Sequence, residues 1–153
     1  MSTLEEHLPH IDEHSTVVAA NSGDVWEALL RVVEGSFGSA ATGRVARLLG
    51  CAEVDASGPR PLAAGSALPG FHVEHADRPR KLALAGSHRF SDYALIFRLE
   101  GLDASRTCLH ADTRAVFPGA KGAVYRTLVI RTRGHVLVTR RLLKAVKQRA
   151  ERA

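Results

Sequence analysis

The C-terminal quarter of the chain constrains the fold most, because it is predicted to form one long amphipathic helix. About thirty residues without another proline follow the motif Phe117-Pro118-Gly119. At roughly 100° per residue, one face of this helix collects mostly apolar side chains, namely Val124, Tyr125, Leu128, Val129, Thr132, His135, Val136, Thr139, Leu142, Leu143 and Val146. Some carry hydroxyl or imidazole groups, and a buried polar group without a partner costs about 1–3 kcal/mol. A helix that closes over a cavity tolerates such groups better than one on a solid core, so the pattern indicates a ligand-holding fold.

Alternation of apolar and polar residues predicts an antiparallel sheet ahead of this helix. It is clearest in Tyr93–Glu100 and Arg106–Phe117, where the apolar side chains share one face. Two short helices are predicted near the N-terminus, one after the capping residues Asn21–Asp24 and one over Ala40–Leu49, ending at Gly50. The first of these is expected to end at Glu34-Gly35-Ser36. The other predicted strands are Ser15–Ala20, Ala52–Ala56, Phe71–Ala76 and Lys81–Phe90, and a tight turn is expected at Ser91-Asp92.

An antiparallel sheet with one apolar face needs a cover. The element long enough to supply it is the helix that begins at Gly119. The sequence therefore predicts an α+β fold in which the terminal helix lies across the sheet and two short helices follow the first strand. Residues 1–13 lack periodicity and are expected to form a loose N-terminal segment, so residues 14–153 make up the folded domain.

Length and composition place the chain among globular proteins. Its 153 residues suit one domain, and no apolar run approaches the roughly eighteen residues of a membrane span. The N-terminal segment carries acids such as Glu5 and Glu6 rather than a basic and apolar leader. Cys51 and Cys108 are far apart and form no CxxC motif, which favours free thiols and a cytoplasmic location.

Basic charge is concentrated in the terminal helix. Residues 119–153 hold ten Lys and Arg against the single acid Glu151, whereas the rest of the chain is net acidic. Arg126, Arg133, Arg140, Lys144 and Lys147 follow one flank of the helix. We favour a solvated helix face over a surface that binds an anionic partner, because no aromatic side chains for base stacking interleave it. No nucleic-acid partner is expected, and the oligomeric state, including a homodimer, stays open.

Three segments resemble the START-related superfamily, also abbreviated SRPBCC, whose fold is called the helix-grip fold. They are Gly86–Leu95, the pair Thr113-Arg114, and Phe117-Pro118-Gly119 through Tyr125-Arg126. The superfamily includes lipid-transfer domains and bacterial polyketide cyclases and aromatases. The resemblance implies a curved antiparallel sheet of six to seven strands and a ligand cavity between the sheet and the terminal helix. The full pattern has seven strands, whereas six are counted here, so a seventh is either absent or hidden in residues 59–70.

Strand parity and helix phase turn one set of side chains toward the same gap. A mostly apolar pocket with a few polar anchors is predicted, lined by His88, Tyr93, Leu95, Thr113, Tyr125, Leu128, Thr132 and His135. Its expected ligand is a small, largely apolar organic molecule. The alternative for the polar members is purely structural, with each bonded to a neighbour or to a strand carbonyl.

Two other functions compete with simple binding. A cyclase- or aromatase-like enzyme would use the same cavity, with His88 and Tyr93 as the proton-handling pair. Catalysis is not favoured, because no motif positions a second carboxylate or a nucleophile. The third hypothesis is an interaction module that docks through its basic helix flank.

Histidine spacing also raises the question of a metal site. His7, His10 and His14 form one group, and His72 and His75 form another. Pro9 interrupts the first group, and a zinc site normally needs three or four convergent ligands. No metal is therefore expected, and no cofactor either, since the chain lacks a glycine-rich phosphate loop after a strand.

Overall fold

A computed structural model describes residues 7–132 and 134–152, without the side chains of residues 129–132 and 134. Its elements are β1 (His10–Val18), α1 (Ser22–Phe37), α2 (Ala40–Leu49), β2 (Ala67–Leu68), β3 (Phe71–Asp77), β4 (Lys81–His88), β5 (Ser91–Asp103), β6 (Arg106–Val116), α3 (Gly119–Thr132) and α4 (Gly134–Arg152). The strands form one sheet of order β1-β6-β5-β4-β3-β2, and each neighbouring pair is antiparallel. This is the predicted α+β architecture.

The two N-terminal helices begin at side-chain caps. Asn21 accepts a hydrogen bond from the backbone N–H of Asp24 at 2.9 Å, and Ser39 does the same for the second helix. Helix α2 has the predicted bounds and ends at Gly50, whose φ of 71° suits glycine. Helix α1 runs to Phe37, past its predicted end, because a glycine inside a helix costs only about 1 kcal/mol and Phe37 packs against the core.

The sheet departs from the prediction at its first two strands and one turn. Strand β1 begins at His10 and ends at Val18, so His10–Glu13 lie in the sheet instead of the loose segment. The predicted strand Ala52–Ala56 is wrong, because that segment forms no ladder and a two-residue strand, Ala67–Leu68, occupies the sheet edge instead. His88 pairs with Ser91, so the tight turn lies at Arg89-Phe90, two residues earlier than expected.

The hydrophobic core fills one half of the space between the sheet and the helices. Phe97, Leu99 and Leu109 enter it from the inner face of the sheet. Helix α1 contributes Val25, Trp26, Leu29, Leu30 and Val33, and helix α4 contributes Leu142, Leu143, Val146 and Ala150. Along β5, this row continues through Leu95 to Tyr93, where the core ends and a cavity begins.

The long terminal helix is described as α3 and α4 on either side of Arg133. The last turns of α4 are packed, and Val146 is fully buried. On α3, by contrast, Val124 is 63 % exposed and Leu128 is 58 % exposed. The predicted apolar face is therefore only partly buried: Val124 and Leu128 do not pack on the sheet, whereas the ring of Tyr125 contacts His88 of β4. None of the helices in the described part is long and apolar enough to cross a membrane.

Part of the outer face of the sheet is covered by the residues that precede β1. Leu8 is buried there against Ala83, Ala94 and Ile96. The nearly buried carboxylate of Asp112 accepts hydrogen bonds from three side chains on the same face, those of His10, Arg98 and Arg114. The segment before β1 is thus tied to the sheet, and Arg114 points away from the inner face.

Candidate functional site

A cavity of about 230 Å³ lies between the sheet and the terminal helix, beyond the end of the core. Its lining is almost entirely apolar or aromatic. The lining residues are Ile11, Phe37, Phe71, His88, Ser91, Tyr93, Ala94, Leu95, Thr113, Ala115, Phe117, Tyr125, His135, Val138 and Thr139. They come from three helices and five strands, so the cavity is a product of the whole fold.

One wall of the cavity is a chain of aromatic rings. Phe37 contacts Phe71 at a centroid distance of 4.8 Å, and Phe71 meets Tyr93 edge to face at 5.3 Å. The chain continues from Tyr93 to His88 at 5.4 Å and from His88 to Tyr125 at 4.9 Å. Aromatic pairs in these geometries contribute about 0.5–1.5 kcal/mol beyond their buried area. The wall therefore presents ring faces and edges to the cavity.

Tyr93 is anchored by its hydroxyl. The O–H donates to the backbone carbonyl of Gly70, and the sulfur of Cys51 lies 3.8 Å from the same oxygen. Gly86 stands opposite Tyr93 on β4, and a Cβ there would come within 2.8 Å of the hydroxyl oxygen. Burial, followed by the neighbouring Cys51 thiol, raises the pKa of Tyr93. The phenol is thus a fixed, protonated part of the wall.

His88 has one ring nitrogen engaged and the other available. The backbone N–H of Phe90 donates to Nδ1 of His88 at 3.0 Å, which places the proton of the neutral ring on Nε2. Burial lowers the pKa of His88, and the nearby Asp92 carboxylate opposes this shift. Burial also favours the neutral form of Tyr125, since it raises the pKa of that phenol, and the Cys51 thiol is the second cause of this shift. Neutral imidazole and neutral phenol are therefore the forms that line the cavity near pH 7.

A group of polar side chains, which comprises Asp12, His14, Thr113 and His135, lies at the β1 end of the cavity. Strand β1 pairs His10 with Arg114 and Asp12 with Thr113, so Ile11 is an extra residue and forms a β-bulge. Across from this bulge, Nε2 of His135 donates to a carboxylate oxygen of Asp12 at 2.8 Å. The same oxygen lies 3.3 Å from Nε2 of His14. A carboxylate between two imidazoles thus joins β1 to the terminal helix.

Three polar atoms of this group are buried without a hydrogen-bond partner. They are Oδ1 of Asp12, Oγ1 of Thr113 and Nδ1 of His135. Buried polar side-chain atoms usually have a partner, so each exception needs a physical reason. Both Thr113 and His135 also line the cavity.

Six of the eight predicted site residues line the one cavity, and their role in ligand binding stays a prediction. They are His88, Tyr93, Leu95, Thr113, Tyr125 and His135. The placement of Leu128 is wrong, because its side chain is exposed on α3 and does not reach the cavity. Helix phase fixes the direction of a side chain but not the distance between the helix and the sheet. The side chain of Thr132 lies outside the described residues.

Sequence reasoning missed several lining residues. Phe37 and Phe71 lie in a helix expected to stop earlier and on a strand with weak alternation. Ile11 belongs to residues expected to be loose, and its inward direction depends on the bulge. Phe117 and Val138 extend patterns that were already recognised, the β6 alternation and the phase of the terminal helix. The last two could have been found from the sequence, whereas a bulge leaves no reliable sequence signal.

The described residues contain one grouping with the donor set of a metal site, and it lies outside the cavity. Glu100, Cys108 and His110 bring their ligand atoms within 4.8 Å of one another on the outer face of the sheet. Both ring nitrogens of His110 already lie near carboxylates, those of Glu13 and Glu100. In the predicted histidine group, His10 pairs with Asp112 and His14 with Asp12. Cys51 and Cys108 are free thiols.

Solved structures share this arrangement of sheet and helices. The Zhui aromatase/cyclase from Streptomyces sp. R1128 matches with a TM-score of 0.57 and 21% sequence identity, over 95% of this chain and 95% of its own. The chain has a helix-grip fold. The resemblance to the START-related superfamily, drawn from short segments of sequence, is thereby confirmed at the level of the fold.

Two further structures show how widely the helix-grip fold is shared. A truncated norcoclaurine synthase from Thalictrum flavum has a TM-score of 0.58 and 12% identity, over 92% of this chain and 94% of its own. Protein CV1439 from Chromobacterium violaceum has a TM-score of 0.54 and 13% identity, over 94% and 99%. No protein-family model matches the sequence, and no curated protein matches it significantly. At these identities the likeness concerns the fold.

Proposed function

We propose that the protein binds a small, largely apolar organic molecule in the cavity beneath the terminal helix. The observation that carries this proposal is a space of about 230 Å³ bounded on one side by a continuous chain of aromatic rings. An engineered protein cavity of about 150 Å³ holds one benzene molecule. The present cavity therefore suits a compound of about one or two fused rings, and aromatic walls favour an aromatic ligand.

A cyclase- or aromatase-like enzyme that uses the same cavity is the second candidate. It is supported by two imidazoles in one mostly apolar lining, His88 and His135, and by the likeness of fold to an aromatase/cyclase and to norcoclaurine synthase. The hydroxyl of Tyr93 is a weak choice for proton transfer, because it already donates to Gly70 and its pKa is raised. An enzymatic function would therefore depend on His88, whose Nε2–H is the available donor.

The other expectations about partners stay predictions. An interaction module would use the basic flank, of which Arg126, Arg140 and Lys144 are exposed. Lys147 on that flank instead donates to the carbonyl of Val17 and to Glu151. A cytoplasmic location and a homodimer belong to the same group of expectations.

Titration with 2-methylnaphthalene tests the binding proposal. At about 0.5 kcal/mol per non-hydrogen atom, within the range for small ligands, its eleven carbon atoms give an expected Kd of about 100 μM. Ala115→Trp should abolish binding, because Ala115 is buried in the cavity lining and a large side chain there fills the space. Ala123→Trp is the matched control, since Ala123 is exposed on α3. Equal binding by both variants would place the ligand elsewhere on the protein, and no binding by wild type would end the proposal.

A further inference from the structure

We infer that Asp12, Thr113 and His135 form a hydroxyl-recognition site at the β1 end of the cavity, so that the ligand is a hydroxylated aromatic compound of the phenol or naphthol class. The inference rests on the proposed function and specifies its ligand. It requires one polar group on the ligand, placed at the end of the cavity opposite the His88 and Tyr125 rings.

The protonation pattern follows from the partners. A carboxylate only accepts hydrogen bonds, so the 2.8 Å contact between Asp12 and Nε2 of His135 places a proton on Nε2. In the neutral ring, Nδ1 of His135 is then an acceptor, as is the second carboxylate oxygen of Asp12. Both are buried without a partner. Two buried acceptors that need a donor thus belong to the two residues of one hydrogen-bonded pair, of which His135 lines the cavity.

The third unpartnered atom supplies the opposite polarity. Thr113 stands directly opposite Asp12 in the β1–β6 pairing, on the same inner face. Its Oγ1 is buried without a partner, and a threonine hydroxyl can donate as well as accept. A ligand group that complements this site therefore donates a hydrogen bond to Asp12 or His135 and accepts one from Thr113.

A hydroxyl is the group that meets both requirements. A carbonyl only accepts, so it would leave the acceptors of Asp12 and His135 unpartnered. An ammonium group only donates, and it would carry a full charge into an apolar cavity, which is costly. A hydroxyl on an aromatic ring fits the polar end while the ring lies along the aromatic wall.

Selectivity for a hydroxyl gives a reason why these polar atoms are unpartnered in the absence of a ligand. Each unpaired buried atom destabilises the protein by about 1–3 kcal/mol. Valine at position 113 would remove the share of this cost that comes from Thr113 without disturbing the core, which ends at Leu95. A site that hydrogen-bonds a ligand hydroxyl also rejects analogues that lack it, because its own polar atoms then stay unpaired.

A matched pair of ligands tests the inference. 2-Naphthol and 2-methylnaphthalene differ by one hydroxyl in place of a methyl group of similar size. Wild type should bind 2-naphthol at least tenfold more tightly, the effect of about one hydrogen bond to a charged or buried partner. Thr113→Val and Asp12→Asn should each reduce this preference, measured as the ratio of the two affinities, severalfold.

Two control variants separate hydroxyl recognition at this site from recognition elsewhere in the cavity and from a loss of folding. Tyr125→Phe removes a hydroxyl from the opposite wall of the same cavity and should keep the preference for 2-naphthol. Thr113→Val should keep or raise the thermal midpoint, which shows that a lost preference is not a loss of folding. If Asp12 and His135 served only to link β1 to the helix, the substitutions would not alter the ratio of the affinities for 2-naphthol and 2-methylnaphthalene.

The possible results distinguish the two proposals. If both ligands bind wild type equally, the hydroxyl site is wrong and the binding function stands. If the preference survives Thr113→Val or Asp12→Asn, or disappears in Tyr125→Phe, the hydroxyl is recognised elsewhere and the assignment is wrong. If neither ligand binds wild type, the proposed function fails, and the hydroxyl site fails with it.

Discussion

The two segments of the terminal helix were predicted to share one apolar face and yet have different environments. In α4, Leu142, Leu143 and Val146 are buried against α1 and the inner face of the sheet. In α3, Val124 and Leu128 are largely exposed. The difference shows that the last turns of α4 anchor the fold, whereas α3 and the first turns of α4 border the cavity. Amphipathic periodicity alone predicts both halves to be packed.

The largest expected effect contrasts one aspartate substitution in each segment. Val146→Asp should destabilise the protein by more than about 4 kcal/mol or prevent folding, because it buries an unpaired charge in the core. Leu128→Asp should change the unfolding free energy by less than about 0.5 kcal/mol, as expected of a surface site. Urea denaturation of both variants measures the difference. Similar losses of stability would mean that α3 packs as tightly as α4.

The inner face beneath α3 is tightly built even though the helix above it is not. Gly86→Ala should destabilise the protein by about 1–3 kcal/mol, because the new methyl group would collide with Tyr93 and the Gly70 carbonyl. Gly35→Ala is the matched control: no atom lies within 4 Å of its Cβ position, and the change should stabilise α1 by about 0.5–1 kcal/mol. Thermal melts compare the two. A neutral Gly86→Ala would show that the Tyr93 anchor is loose.

Ligand should change the exposed segment more than the packed one. Saturation at about one hundred times Kd stabilises the folded state by about 2.7 kcal/mol. We expect 2-methylnaphthalene to slow amide hydrogen exchange in α3, where Tyr125 lines the cavity, and to have little effect in residues 142–150 beyond the global stabilisation. Hydrogen-exchange mass spectrometry resolves the two segments. Uniform slowing along the whole helix would remove the distinction between them.

The smallest expected effect concerns acidity at the cavity wall. Burial lowers the pKa of His88 from its ordinary value of 6.5, so the unfolded chain takes up this proton first as the pH falls. Protonation of His88 therefore does not change the free energy of unfolding above pH 6.5. As the pH falls below that value, it lowers the free energy of unfolding. Between about pH 7.5 and 5.5, wild type should lose slightly more stability than His88→Gln. Identical pH dependence of the two unfolding free energies would show that His88 is solvated like an ordinary surface histidine.

The sequence predicted the parts of the fold that depend on local patterns. Helix α2 has its predicted bounds, because a serine cap and a C-terminal glycine mark both ends. Strands β3 to β6 begin and end within about three residues of their predicted bounds, because alternation reports one buried face. Six site residues followed from strand parity and helix phase together.

The remaining features depend on long-range geometry that no local pattern encodes. The pairing of Asp12 with His135 joins residues 123 positions apart and depends on the bulge at Ile11. The exposure of Leu128 depends on where the sheet ends beneath the helix. The short strand Ala67–Leu68 is held by its pairing with β3 and lacks a pattern of its own.

Intermolecular nuclear Overhauser effects from bound 2-methylnaphthalene to methyl-labelled protein test the central claim most directly. Ile11 and Leu95 place methyl groups in the cavity lining, whereas Leu48 and Leu128 expose theirs on the helices outside it. Ligand protons should show effects to the methyl groups of Ile11 and Leu95 and none to those of Leu48 and Leu128. Effects confined to Leu48 and Leu128 would mean that the ligand adheres to the exposed helix surface, and would contradict binding in the cavity.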